Sequence, residues 1–387
     1  MSENQRIYLD HAATSRLRPE VLEAMQSALS EQFGNPSSVH KEGQKGRRLL
    51  EEGRDSIAKS LDCQPSEVYF TSGGTESDNW AIRCLAEYAT RDDPSKHRVI
   101  TSAIEHPAVL ESCKYLEKHG FEVVYLPVDQ YGLISPDSLA KVLTPDTCLV
   151  SIMYANNEIG TIEPISELVD LTHQQGVLFH TDAVQAVGSV PISFHKLGVD
   201  AGSFSSHKFG GPSGIGGLYL RNILKAPSLI VGGAQEYGLR AGTENVVGAV
   251  GLSKALEISV AEMSSETKRI SEIRDLLIKN VLSSIPSAKL CGHPMDRLPG
   301  NAHFVFDGVE GEALLLYLNL EGYACSSGSA CSSGSHESSH VLQAIGLTPS
   351  VARSALRITI GHENTEEDVL SIVPVIQKLV ARLQTRR

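Results

Sequence analysis

Five short apolar runs punctuate the first two thirds of the chain: "EVYFTS", "RVITSA", "CLVSIMYA", "VLFHTD" and "DAGSFSS". Each has the length and β-branched content of a strand buried on both faces. Between them lie stretches with apolar residues at helical spacing, such as "SDNWAIRCLAEYATR" and "PISELVDLTHQQG". Strand and helix alternating in this way from about residue 65 to 260 predict an α/β fold, with a mostly parallel sheet and helices on both faces. From "TENVVGAVGLSKALEISVAEM" onward the helical period persists through Leu276, Leu277 and Val281 to Ile285. That predicts a long helix leading into a smaller C-terminal unit with "NAHFVFDGV" and "ALRITIGH". The opening strand "RIYLDHAAT" is too far from the alternating region for pattern alone to place it.

The totals narrow the class. A chain of 387 residues exceeds one compact core, so two domains are expected. The formal charge of -12 and the lack of a basic stripe exclude a general nucleic-acid binder. No uncharged apolar run reaches membrane-spanning length. The first residues lack a basic region followed by an apolar one, so no secretory signal is expected. Seven scattered cysteines form no disulfide framework, which points to a reduced cytoplasmic protein.

Three strand ends carry candidate chemistry. In "VYFTSGGTESDN", Gly73 and Gly74 permit a tight turn into a helix, whose first amides suit a phosphate as well as an ordinary helix start. The Gly-Lys-Ser/Thr ending of a P-loop is absent. In "FHTDAVQAVG", Asp182 stands at a strand's C-terminal end with Gln185 three positions on, either a rim carboxylate or a cap. In "SFSSHKFGGPSGIGG", Ser205, His207 and Lys208 precede a glycine-rich turn, and the lysine is a counterion, a surface side chain or an amine nucleophile. His180 and Asp182 also allow a metal reading, without HExxH or CxxC spacing to support it. A phosphate cradle, a rim carboxylate and a rim lysine on successive βα units are together what pyridoxal phosphate requires: covalent capture of its aldehyde, a protonated ring nitrogen and an anchored phosphate.

The motifs "YLDHAAT", "GNPSSVH", "FTSGGTESDN", "EHPAVL", "ANNEIG", "TDAVQAVG", "SFSSHKFGGPSGIGG", "RAGTEN" and "SSGSAC", in that order, resemble the NifS/IscS-like cysteine desulfurases of the class V aminotransferase group. The resemblance covers nearly the whole chain. It implies the aspartate aminotransferase-like fold (fold type I), with a large domain over residues 16–258. A small α+β domain from residues 1–15 and 259–387 would carry a mobile catalytic loop at about 323–336.

The resemblance also implies residue roles. Lys208 matches the lysine that captures the cofactor, Asp182 the partner of its ring nitrogen, and His106 the imidazole stacked on its ring. Asn157 and Gln185 match contacts to the phenolic oxygen. Gly74, Thr75, Ser205 and His207 match the phosphate pocket, and Thr243 a residue reaching the phosphate of the other subunit in a homodimer. Asn35 and Arg357 match groups that hold the substrate carboxylate. Cys331 matches the sulfur acceptor, while Cys325 has no motif match and reads as a small buried or bystander residue, with a resolving or sulfur-relay role as the minority alternative.

The implied activity converts L-cysteine to L-alanine. Lys208 moves the α-proton, and Cys331 takes the sulfur as a persulfide for an acceptor protein such as an iron-sulfur scaffold or a tRNA-thiolation partner. Rival readings are a selenocysteine lyase or other class V enzyme, a metal hydrolase built on His106, His180, Asp182 and His207, and a silent sulfur-assembly scaffold. Both thiols of "ACSSGSACSSGSH" are expected to be reachable, because nothing in that run is large enough to bury. The chain ends "KLVARLQTRR", without the longer extension by which some relatives engage a scaffold, which leaves the acceptor open.

Overall fold

The computed structural model describes residues 6–222, 224, 226–328 and 338–385. Its strands are β1 (Ile7–Tyr8), β2 (Val68–Thr71), β3 (Arg98–Ser102), β4 (Glu122–Leu126), β5 (Thr147–Ser151), β6 (Leu178–Asp182), β7 (Ala201–Ser205), β8 (Gly216–Leu220), β9 (Ala288–Cys291), β10 (Asn301–Phe306), β11 (Tyr323–Ala324) and β12 (Ala355–Thr359). Seven of them form one sheet in the order β2-β8-β7-β6-β5-β3-β4. Neighbours from β7 to β4 pair in parallel, whereas β8 runs antiparallel to both β2 and β7.

Period-two alternation sends successive side chains to opposite faces. Phe70, Ile100, Val150, Phe179 and Phe204 enter one core with Leu50 and Ile57 of the helix Lys41–Ser60. Tyr69, Val99, Leu149 and Ala201 enter a second core with Trp80 and Leu85 of the helix Gly74–Asp92. Each fully buried side chain of this size contributes about 1.5–3 kcal/mol, so the two covering layers fix the sheet firmly. Near the strand ends, Ser151, His180, Asp182 and Ser203 continue the second face as polar groups.

Two strands of this sheet were not anticipated. β8 contains Gly216 and Gly217, whose lack of side chains mutes the strand signal, yet the packing demands them. A Cβ on Gly217 would lie 2.1 Å from the Phe204 ring, and one on Gly216 would lie 2.7 Å from Gly73 Cα. β4, "EVVYL", lies at the sheet edge with Glu122 exposed, so its pattern is weaker than that of the interior strands.

The helix Val246–Ser284 runs 39 residues, about 58 Å at 1.5 Å per residue. Its first half gives Ala249, Leu252 and Leu256 to the large-sheet core, and its second half gives Ile273, Leu277 and Val281 to another. That other core packs the antiparallel sheet β12-β10-β9 against the helices Gly311–Leu320 and Glu366–Gln384. The opening segment, which pattern left unplaced, joins this unit: β1 pairs in parallel with β11, and Asp10 bridges to Thr359. None of the helices is long and apolar enough to cross a membrane, among the described residues.

Candidate active site

The candidate residues gather at the C-terminal ends of the large sheet's strands, where open α/β sheets bind ligands. Asp182 closes β6, Lys208 ends a single 3-10 turn (Ser206–Lys208) directly after β7, and Gly73 and Gly74 are the N-cap and first residue of the helix that follows β2. His106 is the N-cap of the helix Pro107–Glu117, with proline at the first helical position and the Ala108 amide donating to its Nδ1 at 3.1 Å. The neutral ring therefore carries its proton on Nε2.

Lys208 is half-buried, and its Nζ donates to the carbonyls of Ala12 at 2.6 Å and Ala13 at 2.9 Å. Gln185 Nε2 donates to the same Ala12 oxygen at 3.0 Å, and Ser15 Oγ reaches the Lys208 carbonyl at 3.0 Å. His207 Nδ1 is 3.1 Å from Thr14 Oγ1. The N-terminal segment thus wraps the lysine. These partners escape sequence reasoning because nearly two hundred positions separate them from Lys208, although "YLDHAAT" was conspicuous.

Asp182, His106 and Lys208 share one electrostatic environment. Burial raises the Asp182 carboxyl, while His106, the Val184 amide at 2.9 Å and Lys208 pull it back down. Burial lowers His106, opposed by the Asp182 charge and reinforced by Lys208. A buried carboxylate with so little compensation is ready for a cationic ring N–H. Beneath it, His180 is wholly buried and pushed down to about 3, with Nδ1 2.9 Å from Ser151 Oγ and Nε2 3.0 Å from Ser203 Oγ. The helix Gly74–Asp92 sets buried Asp78 against this row, 3.8 Å from His180 Nε2.

The turn before that helix fits a phosphate. Gly73 has φ of +153°, and a Cβ there would face Ser205 Oγ at 3.7 Å. A Cβ on Gly74 would strike Val184 at 2.6 Å. The first-turn amides, those of Gly74 and Thr75 included, lack intrahelical acceptors as at any helix start. Burial, with Lys208 second, pushes His207 down to about 4, leaving a neutral donor at neutral pH. Lysine amine, buried carboxylate and open helix start together fit pyridoxal phosphate.

Arg357 on β12 is buried beside this rim. Its Nη1 donates to the carbonyls of Asn157 at 2.8 Å and Gly328 at 3.3 Å, and its Nη2 to Asp10 Oδ1 at 2.7 Å. Its Nε has no partner among the described residues. A buried orphan donor costs about 1–3 kcal/mol, which a ligand carboxylate on the Nε/Nη2 edge would offset. Asn35 and Thr243 are exposed, and Asn35 Oδ1 caps its own turn by accepting from the Ser37 amide at 2.9 Å.

Cys331 lies outside the described residues. The expectation that both thiols of its run are reachable holds only in part for Cys325, which is half-buried, because the segment 323–326 is not a free loop. Tyr323–Ala324 pairs with β1, Ser326 pairs with Arg357, and Cys325 packs on the small unit's apolar core. Burial, with Asp10 adding to it, raises its thiol far above the usual range. The metal reading also loses its ligands. His180 is committed to two serines, and the one three-residue ligand cluster among the described residues is His97, Glu122 and Asp146, the first two exposed and the third half-buried, both of whose carboxylates face Arg98.

Comparison with known proteins agrees with this geometry. The aminotransferase class-V family matches residues 7–372. The cysteine desulfurase IscS of Dictyoglomus turgidum is 50% identical over 379 residues, 98% of this chain and 95% of that protein. The corresponding protein of Methanosarcina thermophila is 49% identical over 383 residues, covering 99% and 94%. Among solved structures, a NifS-like protein superposes with a TM-score of 0.91 at 39% identity, over 98% of this chain and all of that one. The geometry of the rim and the full-length match lead to one conclusion: the chain belongs to the class V aminotransferase family, among its NifS/IscS-like cysteine desulfurases, which depend on pyridoxal phosphate.

Proposed function

We propose that the chain removes sulfur from L-cysteine, releases L-alanine and holds the sulfur on Cys331 for delivery to an acceptor. The observation that carries this reading is the single rim where the Lys208 amine, the buried Asp182 carboxylate and the neutral His106 ring meet beside an open helix start. Pyridoxal phosphate, when bound, supplies an electron sink for the substrate's α-carbon.

The chain's own residues do the rest. Gly74, Thr75, Ser205 and His207 would hold the cofactor's phosphate, Asp182 would keep a proton on its ring nitrogen, and Asn157 and Gln185 would contact its phenolic oxygen. Lys208 would hold its aldehyde, and the Lys208 amine moves the proton at the substrate's α-carbon. Arg357 fixes the substrate carboxylate through its open Nε edge, with Asn35 assisting. His106, with its proton on Nε2, covers the ring and carries a proton at that atom.

In the sulfur step the Cys331 thiolate attacks the substrate sulfur. An S–S bond forms, the Cβ–S bond breaks, and the electron pair stays with the carbon that is later protonated to alanine. A second copy of the chain brings Thr243 to the phosphate, so the working unit is a homodimer. An acceptor protein, for which an iron-sulfur scaffold is the first candidate, then takes the sulfur in the cytoplasm. The test is to incubate cofactor-loaded protein with L-cysteine and measure alanine alongside the mass of the Cys331 peptide. Alanine together with a 32-Da increment, one sulfur atom or about 32 on general chemical grounds, supports the reading; alanine-free incubation rejects it.

A further inference from the structure

The turn 156–161, from "ANNEIG" into Thr161, satisfies amides within itself. Asn156 Oδ1 accepts from the Glu158 amide at 2.8 Å and the Ile159 amide at 3.0 Å, and the Asn156 carbonyl accepts from the Gly160 amide at 3.0 Å. Asn156 Nδ2 donates to the Ile104 carbonyl at 2.9 Å, in the loop that leads to His106. The next four carbonyls go to the small unit instead. Asn157 accepts from Arg357 Nη1 at 2.8 Å, Glu158 from Asn301 Nδ2 at 3.1 Å, Ile159 from Arg297 Nη2 at 3.0 Å and Gly160 from the Leu298 amide at 2.8 Å. Buried backbone groups need partners, and here one unit supplies those of the other.

Two glycines show how close the fit is. Gly160 has φ of +79°, and a Cβ there would lie 2.7 Å from both Cγ and Oδ1 of Asn301. A Cβ on Gly292 would strike the Ile159 carbonyl oxygen. Arg297 and Asn301 are both buried, and Arg297 Nη2 also donates to the Cys291 carbonyl of β9 at 3.0 Å. Thr161 bridges to Arg297, which carries the contact past the turn. Half-buried Asn157 therefore stands on a backbone that the small unit grips at its own carbonyl and at the three that follow.

We propose that Arg297 and Asn301 are positioning residues for the cofactor site: by holding the Ile159 and Glu158 carbonyls they fix the turn from which Asn157 reaches the cofactor's phenolic oxygen. The inference rests on the reading that gives Asn157 that contact. A side-chain amide donating to the phenolic oxygen favours its ionised form, and so lowers the pH at which the bound chromophore gives up its proton. A turn released by even an ångström weakens that contact without altering any group that touches the cofactor.

The experiment compares Arg297→Met, Arg297→Lys, Asn301→Ala, Asn157→Ala and the Asn301→Ala/Asn157→Ala pair with the parent, without L-cysteine. Three quantities are read: the pH midpoint of the visible band of protein loaded with pyridoxal phosphate, the Kd for pyridoxal phosphate, and the melting temperature of the cofactor-free protein. The titratable rim groups Asp182, His106, His207 and Lys208 are the same in every variant. Arg297→Met and Asn301→Ala should each move the midpoint upward by about half a pH unit or more, in the direction of Asn157→Ala, and raise Kd about fivefold. Arg297→Lys, which keeps a charged donor for the Ile159 carbonyl, should recover most of both. The pair should shift no further than Asn157→Ala alone, because the two changes act through one contact. Should Arg297→Met not fold, Asn301→Ala and Arg297→Lys carry the comparison. A lowered melting temperature with the parent's midpoint and Kd would show a role in stability alone and overturn the proposal. Parent-like behaviour of Asn157→Ala would overturn the Asn157 contact and the proposal with it, whereas a parent protein with no visible band would overturn the cofactor reading beneath both.

Discussion

Arg357 Nη2 lies 2.7 Å from Asp10 Oδ1, joining residues 347 positions apart across the boundary between β12 and the N-terminal segment. The pair leaves the guanidinium's Nε facing inward without a partner among the described residues, so Asp10 aims the open edge of the fork. Asp10→Ala should therefore raise KM for L-cysteine about tenfold, roughly 1.4 kcal/mol, with kcat changed less. Steady-state kinetics over a range of cysteine concentrations provide the measurement. A fall in kcat at constant KM would remove Asp10 from substrate positioning.

The two thiols of "ACSSGSAC" should behave differently. Cys325 packs on the small unit's core with its thiol held protonated, which makes it a poor nucleophile. Cys325→Ala should keep persulfide formation within about twofold of the parent, while Cys331→Ala should retain cofactor and its response to cysteine yet form no protein persulfide. Peptide mass mapping after a single turnover distinguishes them. Persulfide lost in Cys325→Ala would reassign the acceptor.

Glu163 gives a pH signature. Burial lifts its carboxyl from 4.5 to about 8, partly countered by the Ile134 amide that donates to Oε2. Between those values the folded protein keeps a proton that the unfolded chain releases, so stability falls as pH rises through this window and the loss is complete above it. Glu163→Gln imitates the protonated acid and accepts the same amide. Its melting temperature relative to the parent should rise by about 2 °C or more between pH 5 and pH 9. An unchanging difference would show that Glu163 does not titrate in this range.

Legibility in the sequence followed locality. The five apolar strands and their helices were readable because each carries its own period, and Asp182, Lys208 and Gly74 because each stands at the end of such a strand. β8 was hidden by Gly216 and Gly217, whose absent side chains serve a close approach to Phe204 and Gly73 that only the folded sheet reveals. The grip of Ala12 and Ala13 on Lys208 uses backbone carbonyls, which leave no trace in residue type. Asp10 likewise acts through Arg357, 347 positions away. Its motif was visible, but the side chain it holds was not.

The central claim is that Lys208 binds vitamin B6 covalently, and trapping tests it most directly. Cofactor-loaded protein should absorb in the visible; after reduction by borohydride the band should vanish and mass mapping should find the cofactor attached to Lys208, with Lys208→Ala showing neither band nor attachment and at least a thousandfold less turnover. Attachment at another lysine, or a Lys208→Ala variant with the parent's spectrum and activity, would contradict the account.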